Sequence, residues 1–445
     1  MRIADDAQGA RGDLTLPRHR ANVPRMSAPE PLPDCYEGDP ELLPPGEAMR
    51  RIRAHVRSVE EIETIPVIEA LGRVAARDVV SPMNVPGHTN SAMDGYACAG
   101  DSLPDDVARW YDVPGTAYAG KPFSGRVGPC QAVRIMTGAV MPEGTDTVVM
   151  QEHVEVDGDR VRIPPGGRAG QHVRQAGEDI AAGAVVVPRG RRVMPAEMGL
   201  LASLGIAGVD VYRRLRVAYF STGDEILPPG AAFAPGLVYD SNCFTIHGML
   251  GRLGVEVVDL GIVPDRRDAV LDAFRDASAR ADVVLSSGGA STGEADYVKE
   301  VLSELGQVGF WRIAIRPGRP LAFGFVGKSV FFGLPGNPVA VMVTFYQFVA
   351  PAIRVVAGEA DTRPLPAVEA RCATRLRKKP GRVEYYRAVL ERDEAGALVV
   401  RSTGKSGSGL LHTMSDANCF IVLPEDGGTV EPGATVEVQP FHGLM

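Results

Sequence analysis

Two segments of this chain combine glycine, proline and hydroxyl residues as loops facing anions do. Ser286-Ser287-Gly288-Gly289-Ala290-Ser291-Thr292-Gly293 ends the apolar run DVVLSS and precedes a helical pattern. Its glycines let backbone amides approach an anion, its hydroxyls add donors, and a helix N-terminus beyond it favours negative charge. The spacing is neither a Walker loop nor a G-x-G-x-x-G fingerprint, and a plain strand-to-helix connection uses the same residue types. The second segment, Leu334-Pro335-Gly336-Asn337-Pro338, suits a helix start: Asn337 can cap, Pro338 fits the first turn, and Gly336 permits unusual backbone angles.

Acidic residues recur beside these loops. Asp224 and Glu225 follow VAYF, Asp265 follows VEVVDLGIV, and Asp296 lies just past the glycine run. Carboxylates gathered where phosphates bind repel them unless a hard cation such as Mg²⁺ intervenes. Each has an ordinary alternative: Asp265 as a helix cap, Asp296 as a complement to the helix dipole, Asp224 and Glu225 as a solvated turn. Their convergence on one sheet edge favours the phosphate-and-metal account. Basic partners stand at Arg312, Arg316 and Arg319 in FWRIAIRPGRP, and again from Arg375 to Arg387. Guanidinium forks hold tetrahedral oxyanions, although a solvated basic face accounts better for Arg377 to Lys379. His88, His153, His172 and His247 show no metal-ligand spacing, and nothing suggests a Ser-His-Asp triad.

The elements that must position these groups follow a changing rhythm. Beyond Arg214, apolar strands alternate with helices: VAYF, a capped helix from about Asp240, VEVVDLGIV, a helix from Arg266 to Arg280, DVVLSS, and EADYVKEVLSEL. Each parallel crossover needs its own helix, so this pattern specifies a doubly wound, mostly parallel α/β domain, which binds ligands at the carboxyl ends of its strands. Residues 81–175 hold short β-rich runs (AVRIM, DTVVMQEHVEV, RVRIP) between turns, the pattern of an inserted β domain. The expected layout is multi-domain α/β plus β: a flexible tail at 1–44, an elongated mixed connecting domain from 45–80 and 176–213, the inserted β domain, the α/β domain at 214–362, and a C-terminal β domain at 363–445.

Composition bounds the function. A chain of 445 residues has room for about three domains of ordinary size. A net charge of -8 argues against a general nucleic-acid binder, which needs a basic surface to displace counterions. Cys35, Cys98, Cys130, Cys243, Cys372 and Cys419 lie far apart without C-x-x-C pairs, so a reducing cytoplasm is expected. The mixed charges at the start form no signal peptide. The uncharged run from Ser329 to Ile353 is broken by Pro335 and Pro338, and is expected to be buried strand, loop and buried helix rather than a membrane span.

With these features in place, the segment Asn90-Ser91-Ala92-Met93-Asp94-Gly95-Tyr96-Ala97 resembles the signature of the MoeA family, the molybdopterin molybdenumtransferases that include the E domain of gephyrin. RIMTGAVMPEGTDTVVMQE, GEDI, STGDE, SSGGASTGEADY and GLPGNPV follow in family order, from about Leu43 to Phe441. The resemblance implies a cytoplasmic homodimer that takes adenylylated molybdopterin and molybdate and hydrolyses the phosphoanhydride with Mg²⁺, releasing molybdenum cofactor and AMP. An upstream adenylyltransferase and molybdoenzyme acceptors are further implied partners, with no nucleic acid and no membrane. It places the active site between the α/β domain of one chain and the inserted β domain of its mate, bringing Asp94 and Thr137 towards the partner's carboxylates.

The family's functional acids fall on Asp94, Asp179, Glu225, Asp265 and Asp296, with Mg²⁺ expected at Glu225, Asp265 and Asp296. Substrate contacts are expected from Thr137, from Ser221 and Gly223, from Ser287, Gly288 and Gly289, and from Pro335, Gly336 and Pro338. Arg387 and Ser408 are expected against molybdate or phosphate. Arg312, Arg316 and Arg319 stand where many relatives carry lysines, so charge is kept while forks replace point charges. Two other readings are an adenylyltransferase, which lacks the extra β domains and the NSAMDGYA segment, and a gephyrin-like scaffold without catalysis.

Overall fold

The first strand of the α/β region, β1 (Arg216–Thr222), is apolar on both faces, the pattern of a strand covered on both sides. Val217 and Tyr219 enter one core, and Ala218 and Phe220 the other. The computed structural model describes residues 42–288, 297–364, 367–404 and 407–441. After β1 come α2 (Ser241–Leu253), β2 (Glu256–Val263), α3 (Arg267–Arg280), β3 (Val283–Ser287), α4 (Tyr297–Leu305), β4 (Gly306–Arg312), β5 (Pro320–Val326), β6 (Ser329–Leu334) and α5 (Pro338–Thr344); α1 is the earlier helix Pro45–His55. The sheet order is β2-β1-β3-β6-β5-β4. β2, β1, β3 and β6 pair in parallel, while β5 and β4 add an antiparallel edge.

Helices cover both faces. Val270, Phe274 and Ala277 of α3 and Val298, Val301 and Leu302 of α4 pack on one side. Phe274 meets Phe220 edge-on at 5.1 Å and Phe331 at 5.3 Å. On the other face α1, α2 and the helical run from Pro338 to Val356 enclose a larger core. Tyr385, Met414, Phe420 and Phe441 from the C-terminal region also enter it. The run Pro338–Val356 is long and apolar enough to cross a membrane, and is 78% buried within the fold.

Before the α/β region, Ile62–Pro66 pairs antiparallel with Gly208–Tyr212, and Val79–Val80 with Val185–Val187. These pairings frame a small β region with a four-stranded sheet centred on Gly95–Cys98 and Val133–Ile135 and a three-stranded one centred on Arg160–Ile163. Gly95 is dictated by close approach, since a Cβ there would stand 2.1 Å from the Val149 carbonyl oxygen.

In the C-terminal region β7 (Val383–Arg392) pairs with both Leu398–Ser402 and Cys419–Leu423. The remaining pairings through Val368–Cys372 and Thr435–Pro440 close these strands into a ring, which leaves that barrel without open edges.

Candidate active site at the carboxyl edge of the sheet

Register brings the strand ends to one level. Ser221 pairs with Ser287, Ser287 with Leu334, and Thr222 with Val263. The loops after β1, β2, β3 and β6 therefore leave the sheet side by side, at the edge where doubly wound folds bind ligands. Two glycines there are geometrically required. Gly223 has φ +146°, and the Glu225 carboxylate folds back to 2.6 Å from where its Cβ would stand. Gly288, at φ +90°, lies so close to β1 that a Cβ would meet the Thr222 carbonyl oxygen at 2.8 Å.

Beneath the edge lies a buried polar layer on the α2 side. Tyr219 Oη and Ser221 Oγ share a hydrogen bond of 2.5 Å. Burial, then the neighbouring Asp240, pushes the Tyr219 phenol well above its ordinary range. Asp240 caps α2 by accepting from the Cys243 amide at 2.9 Å. Asn242 Nδ2 donates to Ser287 Oγ at 2.7 Å and to the Gly336 carbonyl at 2.8 Å. Asn242 was absent from the expected site residues, because an Asn in the first turn after a capping Asp reads as part of a helix start.

The acidic loops after β1 and β2 meet. The Asp265 amide donates to Asp224 Oδ1 at 3.1 Å. The Asp265 carboxyl is raised above the ordinary carboxylate range, first by burial and then by Asp224 and Glu225. Asp265 is not the cap of α3: Arg266 occupies the N-cap position, without a side-chain bond. Gly289 and Asp296 lie outside the described residues. Among the described residues no group of three His, Cys, Asp or Glu side chains gathers as a metal cage. The donor chemistry of Asp224, Glu225 and Asp265 still suits Mg²⁺, which takes one or two carboxylates and fills its octahedron with water and substrate phosphate.

The proline loop differs from expectation. Asn337 takes the N-cap position of α5, but its side chain makes no capping bond. Instead the Val339 amide donates to the Ser408 carbonyl at 3.0 Å. Pro338 has no N–H, so this turn offers an anion fewer donors than a free helix start would. Ser408 thus touches the helix through its backbone.

The basic side centres on Arg387, 3% exposed on β7. Its Nε donates to Thr413 Oγ1 at 3.0 Å and its Nη2 to the Gly407 carbonyl at 3.2 Å. Burial, then the nearby Arg316 charge, holds the Arg387 guanidinium below its ordinary range. Arg316 Nη1 stands 3.7 Å and Arg382 Nε 3.5 Å from the buried Glu384 carboxylate. Two guanidiniums held near each other form the kind of site an oxyanion stabilises. Arg312 and Arg319 are exposed.

The remaining expected residues lie in the N-terminal half. The Thr137 amide and hydroxyl both donate to Asp94 Oδ1 at 2.7 Å. Asp179 is exposed beside Val85, whose carbonyl accepts from its amide at 3.0 Å. Among the described residues, none of Asp94, Thr137 and Asp179 hydrogen-bonds Glu225 or Asp265 within the chain.

Comparison with known proteins agrees along the chain. Residues 43–205 match the MoeA N-terminal region (domain I and II), 218–355 a probable molybdopterin binding domain, and 369–441 the MoeA C-terminal region (domain IV). A molybdopterin molybdenumtransferase of Haemophilus influenzae is 43% identical over 386 residues, covering 86% of this chain and 95% of that protein. Gephyrin of Dictyostelium discoideum is 31% identical over 447 residues, 89% of this chain and 62% of gephyrin. The crystal structure of a molybdopterin biosynthesis MoeA protein from Pyrococcus horikoshii OT3 superposes with a TM-score of 0.78 at 26% identity, covering 90% of this chain and all of that one. With all three regions matched in order, the chain belongs to the MoeA family, whose curated bacterial relatives are named molybdopterin molybdenumtransferases.

Proposed function

We propose that this chain is a transferase of molybdenum cofactor biosynthesis that inserts molybdate into adenylylated molybdopterin. The observation that carries this reading is the sheet edge where Asp224, Glu225 and Asp265 meet two loops opened by Gly223 and Gly288. In the overall step, water adds across the phosphoanhydride, one P–O bond breaks, and AMP leaves. The other phosphate stays on the pterin, whose dithiolene captures the metal.

The residues divide this work by chemistry. In the loop after β6 the backbone amides of Gly336 and Asn337 would meet the pyrophosphate. Glu225 and Asp265, with Asp296, would hold Mg²⁺. When bound, that ion neutralises charge on the phosphates as the anhydride breaks. Arg387 and Arg316 hold the molybdate dianion through their forks. Asp94 and Thr137 complete the cleft from the second subunit of a homodimer working in the cytoplasm, a reading supported by their making no hydrogen bond to Glu225 or Asp265 among the described residues of one chain.

The test is an assay with adenylylated molybdopterin, molybdate and Mg²⁺. AMP release that needs both molybdate and Mg²⁺ is the expected result. Consumption of ATP would favour an adenylyltransferase, and no AMP release would favour a scaffold without catalysis.

A further inference from the structure

The last backbone bond between the ends of β3 and β6 is long, 3.3 Å from the Gly288 amide to the Leu334 carbonyl. Among the described residues this is the last rung, and beyond it a side chain from neither loop joins the two. Asn242 reaches from α2 to Ser287 Oγ at 2.7 Å and the Gly336 carbonyl at 2.8 Å. The Gly336 carbonyl can only accept, so the nitrogen of the amide must face the loops. Asn242 Oδ1 then points the other way, buried and, among the described residues, without a hydrogen-bond partner. A buried acceptor left empty costs stability, so packing alone would favour an apolar residue here. The Asp240 cap fixes the turn that carries it.

We infer that Asn242 is a positioning residue for the reaction: a clasp that sets the spacing between the glycine loop and the proline loop. This deepens the functional reading above and rests on it only for the kinetic consequence. Ala leaves both loop acceptors without a donor, and Leu cannot donate. Asp has the right shape but sets a carboxylate against the Gly336 carbonyl. A protonated Asp could donate to that carbonyl and restore half of the clasp. Groups facing such a carboxyl are Asp240 on the same helix and Tyr219 on β1, with Ser287 and Gly336 from the described parts of the loops. The acidic neighbour and the burial both favour the protonated form.

Two variants and two readouts test this. Hydrogen exchange compares wild type, Asn242→Ala and Asn242→Asp, with thermal melts confirming that each is folded. At neutral pH exchange should quicken about tenfold or more in the segments around Gly288 and Gly336, with the strand interiors unchanged. Equal protection in wild type and both variants would overturn the clasp, whatever the enzyme does. The second readout is AMP release. Both variants should lose about tenfold or more in kcat while KM changes little, because the loops still bind but hold the anhydride poorly. As pH falls from about 8 to about 6, Asn242→Asp should recover activity relative to wild type and Asn242→Ala should not. Parallel profiles for both variants would reduce Asn242 to a packing role. If wild type releases no AMP, the functional reading fails while the exchange result still decides the clasp.

Discussion

Asp94 and Thr137, forty-three positions apart, share one carboxylate oxygen: the Thr137 amide and hydroxyl both donate to Asp94 Oδ1 at 2.7 Å. The two bonds hold the Asp94 carboxyl below its ordinary range, assisted by the more distant Arg134 charge. They fix one of its two carboxylate oxygens. Two bonds to a single oxygen hold this loop carboxylate in place, as the site proposed above requires of it.

If the cleft is shared between subunits, complementation follows. Asp94→Ala and Asp265→Ala proteins should each be nearly inactive alone. Unfolding them together and refolding should return part of the wild-type AMP release, because a mixed dimer carries one cleft with both acids intact. Absence of recovery, with mixed dimers demonstrated by tagged pull-down, would place both acids in one subunit's site.

Asp265 gives a pH dependence of stability with a defined sign. Its carboxyl is raised by burial, Asp224 and Glu225, so the folded state holds the proton more tightly than the unfolded state. The protonated form's advantage is present at low pH and is lost as pH rises through the folded range. Asp265→Asn stays neutral and should melt above wild type at neutral pH in metal-free buffer. The two melting curves should converge in acid, as differential scanning fluorimetry across pH would show.

Arg387 should matter through its fork. Arg387→Lys keeps a charge but gives up the paired geometry that meets Thr413 Oγ1 and the Gly407 carbonyl. The molybdate concentration for half-maximal AMP release should rise about tenfold, roughly 1.4 kcal/mol. An unchanged molybdate dependence would remove Arg387 from the anion site.

Stability of the α/β region hinges on the aromatic stack beneath the sheet. Phe274 is fully buried and meets Phe220 and Phe331 edge-on. Phe274→Ala should cost about 3–5 kcal/mol, read as a fall in the urea midpoint.

Much of this was legible in the sequence because strands buried on both faces and separated by helices admit few arrangements. VAYF, VEVVDLGIV and DVVLSS became parallel neighbours with their ends aligned, and the Asp265 amide reached Asp224, while Asp296, expected at the same edge, lies outside the described residues. What escaped depends on contacts between remote segments. Asn242 looks like an ordinary first-turn residue until Ser287 and Gly336 are placed beside it. The Asn337 cap failed to form while Val339 found the Ser408 carbonyl, a partner 69 positions away that no local pattern reveals. Glu384 likewise reads as one more acid on a strand, yet it is buried between two guanidiniums.

The bond from Val339 to Ser408 also bears on dissecting the molecule. Excising the terminal barrel would strip the helix after the proline turn of its external acceptor and uncover the apolar surface where Tyr385, Phe420 and Phe441 rest. Anyone trimming this enzyme to a minimal catalytic piece should expect insolubility from such a fragment, and would do better to cut on the far side, in the β insert that carries its own small interior.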